Sequence, residues 1–141
     1  MTAETTAGVL LATLRFPIRW GDMDALEHVN NTLYMRYFEE SRIEWSTRIG
    51  LRLHKAGVGM ILARASIDFK KPVTYPANVT VELRSGSIGR SSFTLFNTLT
   101  VDGDDAPSAV GECVCVWFDY INQKSAPVPD FLRDILLGKG V

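Results

Sequence analysis

The sequence predicts an α+β fold in which a curved antiparallel sheet of about five strands wraps around one long helix. Two patterns favour it. Apolar residues recur at helical spacing over residues 31–49, whereas from residue 61 onward they mostly alternate with polar ones, as in half-buried strands. A helix with a single apolar stripe must be covered by something large, and a curled sheet does this economically. One face of the sheet would stay open, so a second subunit is expected.

Composition indicates one globular domain over residues 1–141, with residues 1–9 as a loose N-terminal tail. A chain of 141 residues suits one core, and 46% apolar residues is ordinary for a folded protein. The formal net charge of −1 favours neither nucleic acid nor a membrane surface as a partner. The N-terminus lacks the basic start of a secretory signal, and no apolar run approaches the roughly 20 residues that span a bilayer. A cytoplasmic protein is therefore expected.

The cysteines and histidines give little support for a metal site. Cys113 and Cys115 are two apart on a predicted strand, so their side chains point the same way and are poorly placed for a mutual disulfide. A metal would need further ligands, and the only histidines are His28 and His54. We expect two small buried side chains here and no metal or other cofactor.

The first half of the chain predicts a strand, a polar loop and the helix. The strand alternates from Leu14 to Trp20, and Pro17 indicates a position at the edge of the sheet. Asn30 is the candidate N-cap of the helix, and Gly50 fits its C-terminal end. The apolar stripe of the helix consists of Leu33, Tyr34, Tyr37, Phe38, Ser41, Trp45 and Ile49.

Four strands are predicted after the helix, over residues 61–70, 79–84, 93–101 and 109–119. Residues 85–89 indicate a turn or bulge, and residues 102–105 are typical of a hairpin connection. The centre of residues 109–119 is apolar on both faces, which predicts a central strand. Pro129 is suited to the start of a short final helix over residues 131–137.

The polar loop before the helix holds the groups that could carry chemistry. The first N–H groups of a helix lack intrahelical partners and carry partial positive charge, so they can polarise a carbonyl group. A carboxylate close to them, such as that of Asp24, could act as a general base on water or as a nucleophile. Together these are the minimum parts for acyl transfer to water. The residues alone are equally compatible with Asp22 and Asp24 as turn and capping residues.

This loop and the helix after it resemble the signature of the hot-dog-fold acyl-CoA thioesterases, in the 4-hydroxybenzoyl-CoA thioesterase-like family. The resemblance rests on Asp22-Met23-Asp24, on His28-Val29-Asn30-Asn31 and on Tyr34, within residues 19–42. It extends through residues 67–73 and 88–93 and covers roughly residues 16–120. It implies a curved sheet around the long helix and a homodimer or homotetramer with active sites at the subunit interface.

The resemblance also implies roles for individual residues. Asp24 matches the family's catalytic carboxylate, and the backbone N–H that polarises the thioester carbonyl falls at about Asn31. Asp22 is expected to fix the loop rather than to react. For His28 a substrate contact and a structural hydrogen bond are equally open. Asn30 fits a cap better than a substrate contact.

The resemblance further implies that coenzyme A is held mostly at the surface, which directs attention to the residues after the Gly89 turn. Arg90, Ser91 and Ser92 are the candidates to bind its phosphates or its pantetheine arm. Glu27 departs from the family, which usually has glycine there. Glycine allows a positive φ or a close approach to a ligand, so Glu27 puts substrate range in question.

The function expected from this resemblance is hydrolysis of a small to medium acyl-CoA to the free acid and CoA. Acyl-carrier-protein thioesterase activity and a non-catalytic acyl-CoA- or acyl-carrier-binding module are the alternatives. A hot-dog dehydratase would need its histidine in a context that His28 does not share. Acyl length, aromatic or aliphatic preference, and the choice between nucleophile and base for Asp24 remain open at the level of sequence.

Overall fold

An antiparallel sheet and one long helix make up most of the fold, and the predicted architecture is confirmed. The computed structural model describes residues 8–51 and 57–139, so residues 1–7 of the predicted tail and His54 lie outside the described residues. The sheet order is β1-β3-β4-β5-β2, with the short β6 beside β5. In chain order the elements are β1 Leu10–Pro17, α1 Asn31–Arg48, β2 Val58–Phe69, β3 Asn78–Ile88, β4 Ser92–Val101, β5 Ala109–Asp119, β6 Lys124–Ser125 and α2 Asp130–Leu136.

Helix α1 begins at Asn31, as its sequence predicts, and ends at Arg48, one residue before the predicted end. The Asn30 side chain accepts a hydrogen bond from the Thr32 N–H at the N-terminus. Gly50 follows the C-terminus with φ of 85°, a conformation that glycine adopts without steric cost. The residues that α1 buries are Tyr34, Tyr37, Phe38, Ser41, Arg42, Trp45 and Ser46. Most of the predicted stripe is thus confirmed, and Arg42 is a charged addition to it.

Helix and sheet approach closely where Phe38 of α1 lies over Gly111 of β5. A Cβ atom built on Gly111 would come within 2.8 Å of the Phe38 ring. Buried polar bonds hold the same region, because Asn97 of β4 donates 2.9 Å hydrogen bonds to Ser41 Oγ and to the Glu82 carbonyl. Glycine therefore sets the distance between α1 and β5, while Asn97 ties α1 to the centre of the sheet.

Some boundaries differ from those predicted. Strand β1 starts at Leu10 and ends at Pro17, and it lies at the sheet edge as Pro17 predicts. The alternation from Leu14 predicts Trp20 on the same face as Phe16 and Ile18. Trp20 is instead 73% exposed, because the chain leaves the strand for a 3₁₀ turn at residues 20–22, where Asp22 accepts a hydrogen bond from the Arg19 N–H. Strand β5 is interior, as its apolar faces predict, although β4 occupies the centre.

The sheet has two ends that matter for function. The loop with Asp24 lies at the end where Pro17 pairs with Asn78. The β3–β4 turn lies at the opposite end, beyond the Ile88–Phe93 pair. A bulge between Ser85 and Ile88 precedes that turn, in agreement with the predicted turn or bulge. Among the described helices, none is both long enough and apolar enough to cross a membrane.

Candidate active site

The loop between β1 and α1 doubles back on itself and is fixed by backbone hydrogen bonds. Met23 and Val29 form a short antiparallel bridge. Within it, the Asp24 N–H donates to the His28 carbonyl at 3.1 Å and the Glu27 N–H donates to the Asp24 carbonyl at 2.9 Å. The Val29 N–H is anchored to the Val73 carbonyl at 2.8 Å. The tip of this loop is thus a defined turn that presents the Asp24 side chain.

The carboxylate of Asp24 is exposed but held in place. Its Oδ1 accepts a 2.9 Å hydrogen bond from the Leu26 N–H, and its Oδ2 accepts a 2.9 Å hydrogen bond from Asn30 Nδ2. A carboxylate oxygen can accept more than one hydrogen bond, so each retains a lone pair for a substrate or a water molecule. The two hydrogen bonds therefore orient the Asp24 carboxylate and leave each of its oxygens able to accept another hydrogen bond.

Asn30 connects Asp24 to the start of α1. Its Nδ2 binds the carboxylate, while its Oδ1 accepts hydrogen bonds from the Thr32 N–H at 2.9 Å and from Thr32 Oγ1 at 2.6 Å. This confirms Asn30 as the helix cap. The Asn31 N–H donates to no acceptor among the described residues. The first turn of α1 thus has a backbone donor available close to Asp24.

Asp22 holds the loop, as predicted. Its Oδ2 accepts hydrogen bonds from the Arg19 N–H at 3.0 Å and from the Tyr37 hydroxyl at 2.6 Å. Burial, followed by this bond to Asp22, raises the pKa of the Tyr37 hydroxyl far above its usual value. Burial alone raises the pKa of Tyr34. Both tyrosines remain neutral and pack under the loop, with their ring centroids 6.1 Å apart.

Glu27 and His28 form the exposed tip of the loop. Glu27 has φ of 65°, in the left-handed region that favours glycine. This backbone conformation explains why a glycine would suit the position. The His28 side chain is exposed and its backbone carbonyl accepts the bond from Asp24. Its contribution to the loop in this chain is through the backbone.

Within one chain, Arg90, Ser91 and Ser92 do not meet Asp24. They lie in and after the β3–β4 turn, at the opposite end of the sheet. The 11 residues of β3 separate the two ends by roughly 30 Å at about 3.3 Å per residue. This turn is held by Arg133, whose Nη2 donates to the Gly89 carbonyl at 2.9 Å. These residues could join Asp24 in one site only through a second chain.

Arg42 is a candidate functional residue that the sequence motifs do not reveal. It is 8% exposed and lines an open groove of about 430 Å³ between α1 and β2. Its position four residues after Phe38 and three before Trp45 places it on the buried stripe of α1. An arginine at a position where the helical spacing predicts burial is the feature of the sequence that could have identified Arg42. The Cys113 thiol of β5, which is part of the buried core, lies 4.0 Å from Arg42 Nη1.

The loop therefore offers an oriented, exposed carboxylate beside a free helical N–H. Such a pair can polarise a carbonyl and either deliver water to it or attack it directly. Residues 18–136 match the family described as the thioesterase-like superfamily. The chain belongs to this superfamily.

Solved structures support membership of the thioesterase-like superfamily. PA2801 of Pseudomonas aeruginosa, to which thioesterase activity is provisionally assigned, is 41% identical, covers 89% of this chain and 97% of its own, and has a TM-score of 0.83. A thioesterase from Thermus thermophilus, solved with coenzyme A and Zn, is 30% identical over 90% of this chain and 96% of its own, with a TM-score of 0.77. The predicted family resemblance is thereby confirmed.

A more distant relative shows the fold alone. It is the 1,4-dihydroxy-2-naphthoyl-CoA thioesterase Slr0204 from Synechocystis, 20% identical over 88% of this chain and 93% of its own, with a TM-score of 0.79. Hot-dog thioesterases thus share this backbone at low identity. Hydrolysis of a thioester is the class of reaction that the superfamily match and the Pseudomonas and Thermus relatives support.

Proposed function

We propose that this superfamily member is an acyl-CoA thioesterase that hydrolyses small to medium acyl-CoAs to the free acid and CoA. The observation that carries the proposal is the hydrogen bond between Asn30 Nδ2 and Asp24 Oδ2, because Asn30 also caps α1. One side chain thus fixes the carboxylate relative to the helix N-terminus. The Asn31 N–H would polarise the thioester carbonyl and stabilise the oxyanion that forms from it.

Two routes of hydrolysis fit this geometry. In the first, Asp24 takes a proton from water as the water oxygen bonds to the carbonyl carbon; the C–S bond then breaks, and the departing CoA thiolate takes that proton from Asp24. In the second, the Asp24 carboxylate bonds to the carbonyl carbon, the C–S bond breaks, and CoA leaves as a thiolate that takes a proton from solvent; water then cleaves the resulting anhydride to the free acid and Asp24. Single turnover in ¹⁸O-labelled water, followed by mass spectrometry of the Asp24 peptide, tests the second route: ¹⁸O in Asp24 establishes it, because the first route never forms a bond between water and Asp24.

The coenzyme A portion would be bound at the surface by Arg90, Ser91 and Ser92 of a second copy of the chain. This follows from the distance between those residues and Asp24 within one chain. An antiparallel pairing of β2 with its copy across a two-fold axis would bring one chain's Asp24 end beside the other's β3–β4 turn. Support for a CoA-type substrate comes from the coenzyme A bound to the Thermus relative.

The test is release of free CoA thiol from a panel of acyl-CoAs by the wild type and by Asp24→Asn. We expect kcat/KM to fall by at least about 100-fold in Asp24→Asn, because the amide can neither accept the proton nor attack. Asp105→Asn, which alters an exposed carboxylate in the β4–β5 connection, is the matched control. Wild-type turnover in Asp24→Asn would remove Asp24 from the mechanism. Tight binding of acyl-CoA without turnover by the wild type would instead indicate a binding module.

A further inference from the structure

Arg42 is a buried cation whose hydrogen-bonding capacity is largely unused. Its surface is 8% exposed, and among the described residues its one side-chain hydrogen-bond partner is Cys113 Sγ, at 4.0 Å. A guanidinium carries five N–H donors and a thiol is a weak acceptor. Across residues 8–51 and 57–139, no carboxylate lies within ion-pair distance of Arg42. Since a buried charge is costly unless it is paired, this arrangement calls for an anion.

The groove that Arg42 lines has the dimensions of a small-ligand site. Its volume is about 430 Å³, and its walls come from α1 and from Leu62 of β2. The other charges on it cancel, because Arg36 Nε and Glu39 Oε1 lie 3.4 Å apart in an ion pair. Arg42 is therefore the uncompensated positive charge of the groove.

The groove starts beside the candidate catalytic group. Thr32 and Leu33 of the first turn of α1 line its near end, and Thr32 is bonded to Asn30, which holds Asp24. Ten residues of helix separate Thr32 from Arg42, about 15 Å along the axis. Because the Cα–Cβ bonds of a helix tilt toward its N-terminus, the distance that a ligand must span to meet the Arg42 side chain is no longer than this axial rise. A thioester at the start of α1 would extend its acyl group toward Arg42.

We infer that Arg42 selects acyl thioesters that carry a second carboxylate at the far end of the acyl group. The inference rests on the function proposed above and names its substrate class. The distal carboxylate pairs with the Arg42 guanidinium, while the thioester carbonyl lies at the N-terminus of α1 beside Asp24. The span along α1 suits chains of roughly six to ten carbons, after allowance for the backward lean of the arginine.

The test compares diacid and monoacid thioesters of equal length. The two pairs are hexanedioyl-CoA with hexanoyl-CoA and octanedioyl-CoA with octanoyl-CoA. For at least one pair we expect the wild type to favour the diacid thioester by about 10- to 100-fold in kcat/KM, the usual effect of a charge-assisted hydrogen bond. In Arg42→Met this ratio falls to about one or below, and in Arg42→Lys it is intermediate, since the ammonium retains the charge without the planar fork.

The matched control is Arg48→Met, which removes an exposed arginine from the same helix outside the groove and should retain the wild-type ratio. Circular dichroism and light scattering verify that each variant is folded and keeps its oligomeric state. A wild-type ratio near one for both pairs overturns the inference and leaves thioester hydrolysis standing. An equal loss on both substrates, with dissociation of the oligomer in Arg42→Met, overturns it too, because Arg42 would then pair with a carboxylate of a second chain.

A binding measurement decides the inference even if no thioester is hydrolysed. Octanedioyl-CoA and octanoyl-CoA are titrated calorimetrically into Asp24→Asn and into Asp24→Asn combined with Arg42→Met. We expect Asp24→Asn to bind octanedioyl-CoA at least about tenfold more tightly than octanoyl-CoA. The double variant should bind the two ligands with equal affinity. Equal affinity of both ligands for Asp24→Asn contradicts the role of Arg42, whereas failed hydrolysis with this preference intact contradicts only the proposed catalysis.

Discussion

At the scale of single residues, the polar loop gives its two aspartates different environments. Asp22 accepts hydrogen bonds from a backbone N–H and from the buried Tyr37 hydroxyl, so it anchors the loop to α1. Asp24 is bonded at the exposed tip and faces solvent. The sequence predicts that both bind nearby backbone, as short polar side chains do. The sequence does not reveal the hydrogen bond from the Tyr37 hydroxyl to Asp22. Tyr37 lies 15 residues after Asp22, and the bond forms only because of how α1 packs against the loop.

Glu27 provides a prediction at this scale, because its φ of 65° is strained for any residue with a Cβ atom. Glu27→Gly should relieve about 1 kcal/mol of strain, offset by the roughly 0.5–1 kcal/mol that glycine loses in entropy, so stability should be unchanged or slightly higher. Glu27→Val should lower the free energy of unfolding by about 1–2 kcal/mol, since β-branched residues tolerate positive φ least. Urea denaturation measures both, with Glu27→Ala as control for loss of the carboxylate. A Glu27→Val variant as stable as the wild type would show that the positive φ of residue 27 does not strain the backbone.

At the scale of elements, the contact between α1 and β5 depends on residues that are distant in the sequence. The alternating pattern predicts β5, and helical spacing predicts the buried face of α1, including Phe38. Neither pattern reveals that Gly111 lies under the Phe38 ring, because that contact is set by the register of β5 against β4 and β2. Local patterns therefore predict which elements form and which faces they bury, while the depth of packing is a property of the assembled sheet.

This contact predicts that Gly111→Ala is destabilising although alanine suits a strand at least as well as glycine. The new Cβ atom would approach the Phe38 ring to 2.8 Å, so α1 or the ring must move. We expect a loss of about 1–3 kcal/mol, which is typical of an overpacked core. Gly21→Ala is the control, since a Cβ atom there meets nothing within 4 Å. Thermal unfolding of both variants tests this, and equal midpoints would contradict the close packing.

At the scale of the whole molecule, the groups required for the proposed function are divided between the two ends of the sheet. The signature around Asp24 was sufficient to predict the fold and the position of the carboxylate, because the loop and its cap are local. The distance from Asp24 to Arg90, and the burial of Arg42 without a carboxylate partner in the described chain, depend on topology. Sequence periodicity carries no information about which ends of which strands meet.

The edge strand β2 indicates how a second copy would complete the site. It has 12 residues and follows β5 along its inner side, while its outer side has no strand among the described residues. Ile61 and Leu62 are both 40% exposed, and Phe69 is 48% exposed. A long apolar edge of this kind is a template for pairing with another strand. Pairing of β2 with its own copy would satisfy the hydrogen-bonding groups of this edge and place the two halves of the site together.

Ile61→Lys tests this arrangement, because a charge on an edge strand opposes pairing with another strand. We expect the wild type to be a dimer or larger by size-exclusion chromatography with light scattering, and Ile61→Lys to shift toward the monomer. Activity on acyl-CoA should fall with the oligomer fraction, since one chain leaves Arg90 roughly 30 Å from Asp24 along β3.

Leu10→Lys is the control for Ile61→Lys. It alters a similarly exposed apolar residue on the opposite edge, at β1, and should change neither the oligomeric state nor the activity. A monomeric Ile61→Lys with full activity would show that one chain holds the complete site, and dissociation by Leu10→Lys instead would move the interface to β1.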